Sequence, residues 1–199
     1  MARQKTVRST VRMNSKGWST NLIATRCKMC TSRSTYLEPY CRECARKLGI
    51  QTKKVANMGL GVVATRYLPK GTVLRKIKYG GEFICKAEFA RLYPGCTSPY
   101  GMNYGSRPGY DIDAARRRSW ASMINHSLRP NCTFDDHTGE VRITKDVPKG
   151  GQLFWNYNSG NTKGTALYSF KDKCKHRTKW GGDPPVFELE FCIGCRKQQ

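Results

Sequence analysis

Hydrophobic and polar positions change character several times along this chain, and the changes mark its elements. Residues 1–25 carry no apolar periodicity and no acid, but many Arg, Thr and Ser. That pattern predicts a flexible basic arm. Thr72–Tyr79 (TVLRKIKY) alternates in part and predicts a strand. Lys86–Leu92 (KAEFARL) predicts a short helix. Tyr93–Gly109 is rich in Gly, Pro, Tyr and Ser and predicts a loop. Cys132–Phe134 and Val141–Thr144 predict two strands of a hairpin, joined through Asp135–Gly139. From about Gly160 the pattern loosens, and it ends in a cysteine cluster. There is no internal repeat, and no apolar run approaches the ~20 residues that cross a bilayer. The expectation is a compact, mostly β core with short helices.

Composition adds partners and compartment. A length of 199 residues allows one ordinary domain plus appendages, and 38% hydrophobic residues suffice for a modest core. The formal net charge of +22 speaks to partners and not to fold. Local clusters lie at Lys53-Lys54, Arg116-Arg117-Arg118 and Arg196-Lys197. Most such clusters are solvated surface, yet a total this large makes nucleic acid the default expectation, through phosphate neutralisation and counterion release. The start, Met1-Ala2-Arg3-Gln4-Lys5, lacks the apolar segment of a secretory signal. Ten cysteines without such a signal point to a reducing compartment, where paired cysteines more often hold metal than form disulfides.

Two cysteine groups have ligand spacing. Cys27, Cys30, Cys41 and Cys44 form C-x2-C-x10-C-x2-C, whose four thiolates can close a tetrahedral zinc site. Such a site staples the arm to the core. At the far end, Cys174, His176, Cys192 and Cys195 can make a second, Cys3His site, with His176 the least secure ligand. One or two zinc ions are expected. Cys85, Cys96 and Cys132 lack partner spacing and are most simply buried or unpaired.

Several motifs then fall in one order: Gly59-Leu60-Gly61, Val62–Gly71 (VVATRYLPKG), Tyr79-Gly80-Gly81-Glu82, Tyr110–Ala114, Asn125-His126-Ser127-Leu128-Arg129-Pro130-Asn131, and Leu153-Phe154-Trp155-Asn156-Tyr157. Together they resemble the signature of the SET domain, the fold of most lysine methyltransferases that use S-adenosylmethionine. The resemblance covers roughly residues 50 to 160. It implies a mainly β fold, a β-clip with a pseudoknot in which the last two motifs thread through each other beside the active site. The chain then divides into the flexible basic arm (1–25), an N-terminal zinc module (26–50), the SET core (51–160) and a C-terminal post-SET-like zinc segment (161–199). Two small zinc-binding cysteine modules flank the core.

The chemistry that the resemblance implies is an in-line displacement at a sulfonium methyl. The sulfonium is already electrophilic, so the protein supplies position and a neutral amine. Lysine, with a reference pKa of about 10.4, must first lose its proton. A narrow apolar channel with a few hydroxyls disfavours the ammonium and aims the lone pair. By motif, Tyr157 is catalytic, near the transferring methyl, and also contacts the cofactor. Tyr79 lines the lysine channel and is the second catalytic candidate. Asn125 and His126 contact the cofactor, and Gly59, Leu60 and Gly61 lie beside its methionine part, where glycine lets backbone approach a ligand. Tyr110 is core or channel wall. In the family the insert that shapes the substrate groove lies within 93–109.

Departures are informative. Ser122 with Met123 stands where the family often has Arg before its Phe-Ile-Asn-His-Ser run. Leu128 replaces a cysteine that often ligates zinc, so the C-terminal site is expected to be self-contained. Gly151-Gln152 replaces a Glu pair, and Asn156 a common Asp. Trp155 stands where Phe or Tyr is usual, and that position influences how many methyls fit. Either Trp155 narrows the channel and limits product to mono- or dimethyl-lysine, or it packs outward or plugs the channel. A methyltransferase acting on basic tails benefits from an acidic groove, and the chain has 14 acids. Asp111, Asp113, Asp135, Asp136 and Glu140 fall near the motifs, so local acidity is expected there, inside a basic exterior.

Ala2-Arg3-Gln4-Lys5-Thr6-Val7-Arg8-Ser9-Thr10 resembles the start of the histone-three tail. The alternatives are a basic arm contacting nucleic acid and an organellar transit segment. The leading expectation is methyl transfer to a lysine of a histone or another basic chromatin protein, in the nucleus. The rival is a SET-derived scaffold of faded activity in a ribonucleoprotein or chromatin assembly, and the alternative location is a mitochondrion or other organelle.

Overall fold

A computed structural model of the chain describes residues 21–157, apart from 32, 56–57, 94–99, 104–108 and 136. The C-terminal zinc candidates, Cys96, Asp136 and most of the arm therefore lie outside the described residues. In chain order the cysteine module contributes β1 (Thr25–Arg26), β2 (Ser34–Thr35), β3 (Leu37–Glu38) and α1 (Arg42–Lys47). Then come β4 (Ile50–Val55), β5 (Gly59–Ala64), β6 (Val73–Lys78), β7 (Glu82–Cys85), α2 (Lys86–Leu92) and β8 (Gly101–Asn103). The last part holds β9 (Tyr110–Asp113), β10 (Arg118–Ser119), a 3-10 turn (Ala121–Met123) and β11 (Asn125–His126). It closes with β12 (Cys132–Phe134), β13 (Glu140–Ile143) and β14 (Phe154–Trp155).

The strands pair into small sheets around one core. β4 and β5 form an antiparallel hairpin from Ile50↔Ala64 to Val55↔Gly59. β12, β13 and β6 form a second antiparallel sheet, and β7, β9 and β8 a third. The hairpin expected through Asp135–Gly139 is present, with its second strand one residue earlier than expected at each end. The helix expected at Lys86–Leu92 has those bounds. The loop expected over 93–109 is interrupted by β8, which adds Gly101–Asn103 to the edge of β9. A strand this short, led by Gly and bracketed by Gly and Pro, has too little alternation to show in sequence.

Ile50, Val62 and Ala64 of β4–β5, Cys132, Phe134, Val141 and Ile143 of β12–β13, and Ile77, Ile112, Trp120, Ile124 and Leu153 fill the core, each buried. Two glycines are fixed by crowding or turn geometry. A Cβ on Gly81 would sit 2.5 Å from the backbone oxygen of Asp113. Gly139, at φ 69°, turns the β12–β13 hairpin where a side chain would be strained.

The cysteine module is sewn into the core. β3 pairs in parallel with β10, Leu37 with Arg118 and Glu38 with Ser119. Trp120 donates its indole N–H to the Tyr40 carbonyl at 2.8 Å, and its backbone N–H to Glu38. Ala45 of α1 is fully buried in the main core. Three of the acids expected to supply local acidity have bonds within the fold. Asp113 is fully buried and accepts hydrogen bonds from the Tyr93 hydroxyl and the Ala115 N–H. Asp135 fastens the hairpin turn by accepting from the His137 and Thr138 N–H groups and the Thr138 hydroxyl. Glu140 pairs with Lys78. Asp111 is partly buried, which pushes its carboxyl above the usual range against the pull of Lys86.

Candidate active site and cysteine cluster

The two late motifs meet, as the resemblance implied. β11 and β14 pair in parallel, Asn125 with Phe154 and His126 with Trp155. Parallel neighbours need a crossover; here the β12–β13 hairpin and residues 144–153 supply it. The pairing continues past the strands. Ser127 N–H donates to Trp155 O at 3.0 Å, and Tyr157 N–H donates to His126 Nδ1 at 3.1 Å. Asn131 clamps the second segment, donating to Gln152 O and accepting from Phe154 N–H, both at 2.8 Å. His126 is therefore held by its neighbours, with its ring 5.2 Å from that of Tyr157.

The glycine motif lies against this crossing. Asn125 Nδ2 donates to Leu60 O at 3.3 Å and approaches Met58 Sδ at 3.7 Å. Gln152 Nε2 reaches the same sulfur at 3.5 Å. A Cβ on Gly61 would stand 2.6 Å from Gln152 Nε2 and 2.8 Å from Asn125 Nδ2. A side chain at 61 would therefore displace both amides. Leu60, between the glycines, turns a largely exposed side chain outward. Gly59, Leu60, Gly61, Asn125 and His126 form one wall at the crossing.

A chain of aromatic rings leads from that wall into the core. Trp155 lies 5.3 Å from Tyr157 and meets Phe134 edge-on at 4.5 Å, and Phe134 meets Tyr79 edge-on at 5.5 Å. Edge-on and tilted pairs are favourable ring geometries at these separations. Trp155 is packed inward against the core. Both tyrosine hydroxyls donate to backbone: Tyr157 to Ile124 O and Tyr79 to Tyr100 O, each at 2.9 Å. Tyr110 is 46% exposed at the start of β9, opposite Cys85. It is not core, and among the described residues it joins none of these ring contacts.

Sequence reasoning missed Phe134, the link between Trp155 and Tyr79, because nothing in a three-residue strand distinguishes it. It also missed Met58, although its place beside the glycine motif was a usable signal. Arg118 was read only as part of a basic cluster. It is buried, with its guanidinium 4.3 Å over the Tyr100 ring centre. Burial lowers its pKa from the ordinary arginine value. Ser122, at the family's arginine position, bonds back to the Ser119 N–H and carbonyl.

The four thiols Cys27, Cys30, Cys41 and Cys44 come together, all within 4.8 Å of one another. Cys30 and Cys41 sulfurs are 3.8 Å apart. Zinc–sulfur bonds of ~2.3 Å in a tetrahedron put sulfurs about 3.8 Å apart, so the donor set fits zinc. All four cysteines are free of disulfides. Burial pushes the Cys44 thiol up to about 12. Burial also works against the Cys27 thiolate, but backbone N–H groups of Cys30, Cys41 and Met29 outweigh it and bring that thiol down to about 6. Cys132 is buried, donates to Phe154 O at 3.1 Å and is pushed up to about 12 by burial, whereas Cys85 is exposed.

The sequence profile of the SET domain matches residues 59–158, about half of the chain. The chain belongs to the SET-domain family. Among curated proteins, this SET chain is similar to Histone-lysine N-methyltransferase NSD3 of Mus musculus, 28% identical over 134 residues. It is also similar to Histone-lysine N-methyltransferase, H3 lysine-36 specific, of Schizosaccharomyces pombe, 32% identical over 109 residues. These alignments cover 61% and 50% of this chain but 9% and 13% of the relatives, so it spans only a small part of their length. Among solved structures it is similar to SUVH6 of Arabidopsis thaliana in complex with SAM: 23% identity, TM-score 0.46, 55% of this chain and 28% of that one. The Polycomb Repressive Complex 2 of Chaetomium thermophilum bound to GSK126 gives 23% identity and a TM-score of 0.46, over 55% of this chain and 15% of that one.

Proposed function

We propose that this SET protein transfers a methyl group from S-adenosylmethionine to a lysine side chain of a basic chromatin protein, with a histone tail the leading substrate. One observation carries the reading: the Asn125–His126 and Phe154–Trp155 strands cross beside Gly59–Gly61, and a run of aromatic rings starts at that crossing. The cofactor supplies an electrophilic methyl on a cationic sulfur. Asn125, His126 and the glycine wall would hold it, with Tyr157 beside His126 at the same crossing. Tyr79, Phe134, Trp155 and Tyr157 form the lysine channel. Burying an ammonium among rings favours its neutral form. The Tyr157 and Tyr79 hydroxyls are held at the two ends of this run by bonds to backbone carbonyls, and their role would be to orient the substrate amine. Trp155 narrows the channel to mono- or dimethyl-lysine. Zinc at Cys27, Cys30, Cys41 and Cys44 has a structural role. The C-terminal cysteine segment adds a second zinc site. The basic exterior meets nucleic acid, and the protein works in the nucleus.

The relatives' names, each a histone-lysine N-methyltransferase, support the reaction class. The test is calorimetric binding of S-adenosylmethionine to zinc-replete, nucleic-acid-free protein, followed by radiolabel transfer to core histones. Asn125→Ala should abolish binding. Tyr157→Phe should bind cofactor normally and lose about 10–100-fold in rate, the range expected when an amine is misaimed. Well-folded wild type that binds no cofactor would overturn the proposal and favour a scaffold.

A further inference from the structure

Among the cations of the described residues, two groups stand out. One group is neutralised locally: Arg33 pairs with Glu43, Lys78 with Glu140, Arg91 with Glu88, Arg116 with Glu82 and Arg117 with Glu38. The other lies where three segments of the fold adjoin. Arg46 and Lys47 end α1. Arg66 and Lys70 lie on the connection from β5 to β6, and Lys149 lies on the turn before β14. All five side chains are exposed. Among the described residues none of them makes an ion pair with a carboxylate.

Short backbone bonds hold the three segments side by side. Thr65 N–H donates to Gly49 O at 2.8 Å, and the Thr65 hydroxyl donates to Arg46 O at 3.0 Å. Arg66 lies across Gly49, with Nε 2.9 Å from where a Cβ would stand. Ala64 exchanges bonds with Gly150 and Gly151, both at 2.8 Å, and Leu68 exchanges bonds with Val147, both at 2.9 Å. Beside Lys70 lies the acid Asp146. Its carboxylate accepts the Lys70 backbone N–H at 2.7 Å and bonds the Tyr67 side chain. It fastens the turn, and Tyr67 is left 55% exposed between Arg66 and Lys70.

A row of unpaired like charges on rigid backbone destabilises itself slightly and gains only when a polyanion covers it. Flexible surface lysines alone would be ordinary solvated charge. Here α1, the β5–β6 connection and the pre-β14 turn converge, and Asp146 bonds the Lys70 N–H and the Tyr67 side chain and ion-pairs with none of the five cations. We propose that Arg46, Lys47, Arg66, Lys70 and Lys149 form a docking ridge for the phosphodiester backbone of duplex nucleic acid. This gives the nucleic-acid contact suggested above a defined surface. The ridge is built on β5, which begins with the Gly59–Gly61 wall, and on the segment that runs into β14. Docking there fixes the orientation of the methyl-transfer crossing relative to a nucleic-acid-bound substrate. The binding step itself does not depend on the methyl-transfer reading, and no cofactor is needed to test it.

The experiment measures anisotropy of labelled duplex DNA and duplex RNA with the full chain across a salt series. Lys47→Ala/Arg66→Ala/Lys70→Ala/Lys149→Ala is compared with a charge-matched control, Arg75→Ala/Lys86→Ala/Arg91→Ala/Arg142→Ala. Melting temperatures confirm that both fold. The ridge variant should bind at least tenfold more weakly at 0.15 M salt. Its slope of log affinity against log salt should fall by about 3–4, since each phosphate contact contributes ~0.9 on B-DNA. The control should stay within about threefold of wild type. Duplex DNA and RNA bound alike support a backbone-reading ridge, and a preference for one identifies the source of the phosphates. Equal losses in both variants, or no loss in the ridge variant, overturn the proposal. So does polyglutamate of matched charge that displaces the duplex from the ridge at equal concentration, since the surface would then favour acidic protein.

Discussion

Substituting Gly61 with alanine tests the proposed cofactor wall without removing any functional group. Its new Cβ would lie 2.6 Å from Gln152 Nε2, 2.8 Å from Asn125 Nδ2 and 3.1 Å from Val55 Cγ2. The first two are side-chain ends that can rotate away, so the fold should survive. In moving, Asn125 gives up its bond to Leu60 O, and both amides lose their contact with the Met58 sulfur. Sulfur is a weak acceptor, so the stability cost is dominated by one amide–carbonyl bond and local crowding, about 1–2 kcal/mol. For a chain of this size that lowers Tm by about 2–8 °C. Cofactor binding should suffer more, at least tenfold in Kd, because the methyl group and the displaced amides enter the space beside the crossing. Gly71→Ala is the control: its φ of +89° strains alanine by about 1–2 kcal/mol, with nothing within 4 Å of the Cβ. Scanning calorimetry and titration calorimetry on both variants separate stability from binding. Equal Tm losses with unchanged cofactor affinity in Gly61→Ala would refute the assignment of this wall.

Zinc removal by a strong chelator should lower Tm by on the order of 10 °C or more, because structural zinc contributes many kcal/mol, and zinc alone should restore it. Trp155→Phe should raise the trimethylated share of product by mass spectrometry; abundant trimethyl-lysine from wild type would sink the idea that Trp155 narrows the channel. Hydrogen bonds from the Thr138 N–H and hydroxyl, then from His137, hold the Asp135 carboxyl below the usual value. Its folded pKa is depressed, so its stabilisation is complete above the unfolded value of ~3.9 and fades as pH falls through the folded one. Asp135→Asn should therefore lower Tm at pH 7, and the gap to wild type should close toward pH 2 in a thermal-melt series; a gap independent of pH would refute it.

What the sequence made legible was whatever rests on local residue order. The helix at Lys86–Leu92, the strand at Thr72–Tyr79, the hairpin around Gly139 and the four cysteines depend on neighbours a few positions apart. The crossing of Asn125–His126 with Phe154–Trp155 was legible only through resemblance, because its partners are 29 residues apart in register and each strand is too short to show periodicity. Side-chain destinations were the least legible. Asp113 reads as a groove acid but is fully buried under Tyr93. Tyr110 reads as channel wall but stands at an exposed strand start. Arg118, one of three adjacent arginines, is the buried one, and alternation on β10 gives no sign of which of them turns inward.

The cysteine module also gains a reason to exist from this arrangement. Tyr40, next to the ligand Cys41, accepts the Trp120 indole N–H, and Glu38 accepts the Trp120 backbone N–H. Trp120 is fully buried and directly precedes the 3-10 turn Ala121–Met123. That turn ends at Ile124, whose carbonyl receives the Tyr157 hydroxyl, and Asn125 follows it. A short, stiff path therefore joins the four-cysteine cluster to Asn125 and Tyr157, the proposed cofactor-wall and catalytic side chains. A turn this short has little cooperativity of its own, so its geometry must be imposed from outside. β3–β10 pairing and the Trp120 anchor impose it on one side, and the β11–β14 crossing on the other. Loss of zinc should accordingly weaken S-adenosylmethionine binding before the core melts. Chelated protein that keeps full cofactor affinity below its Tm would show that the module stabilises the fold without setting the site.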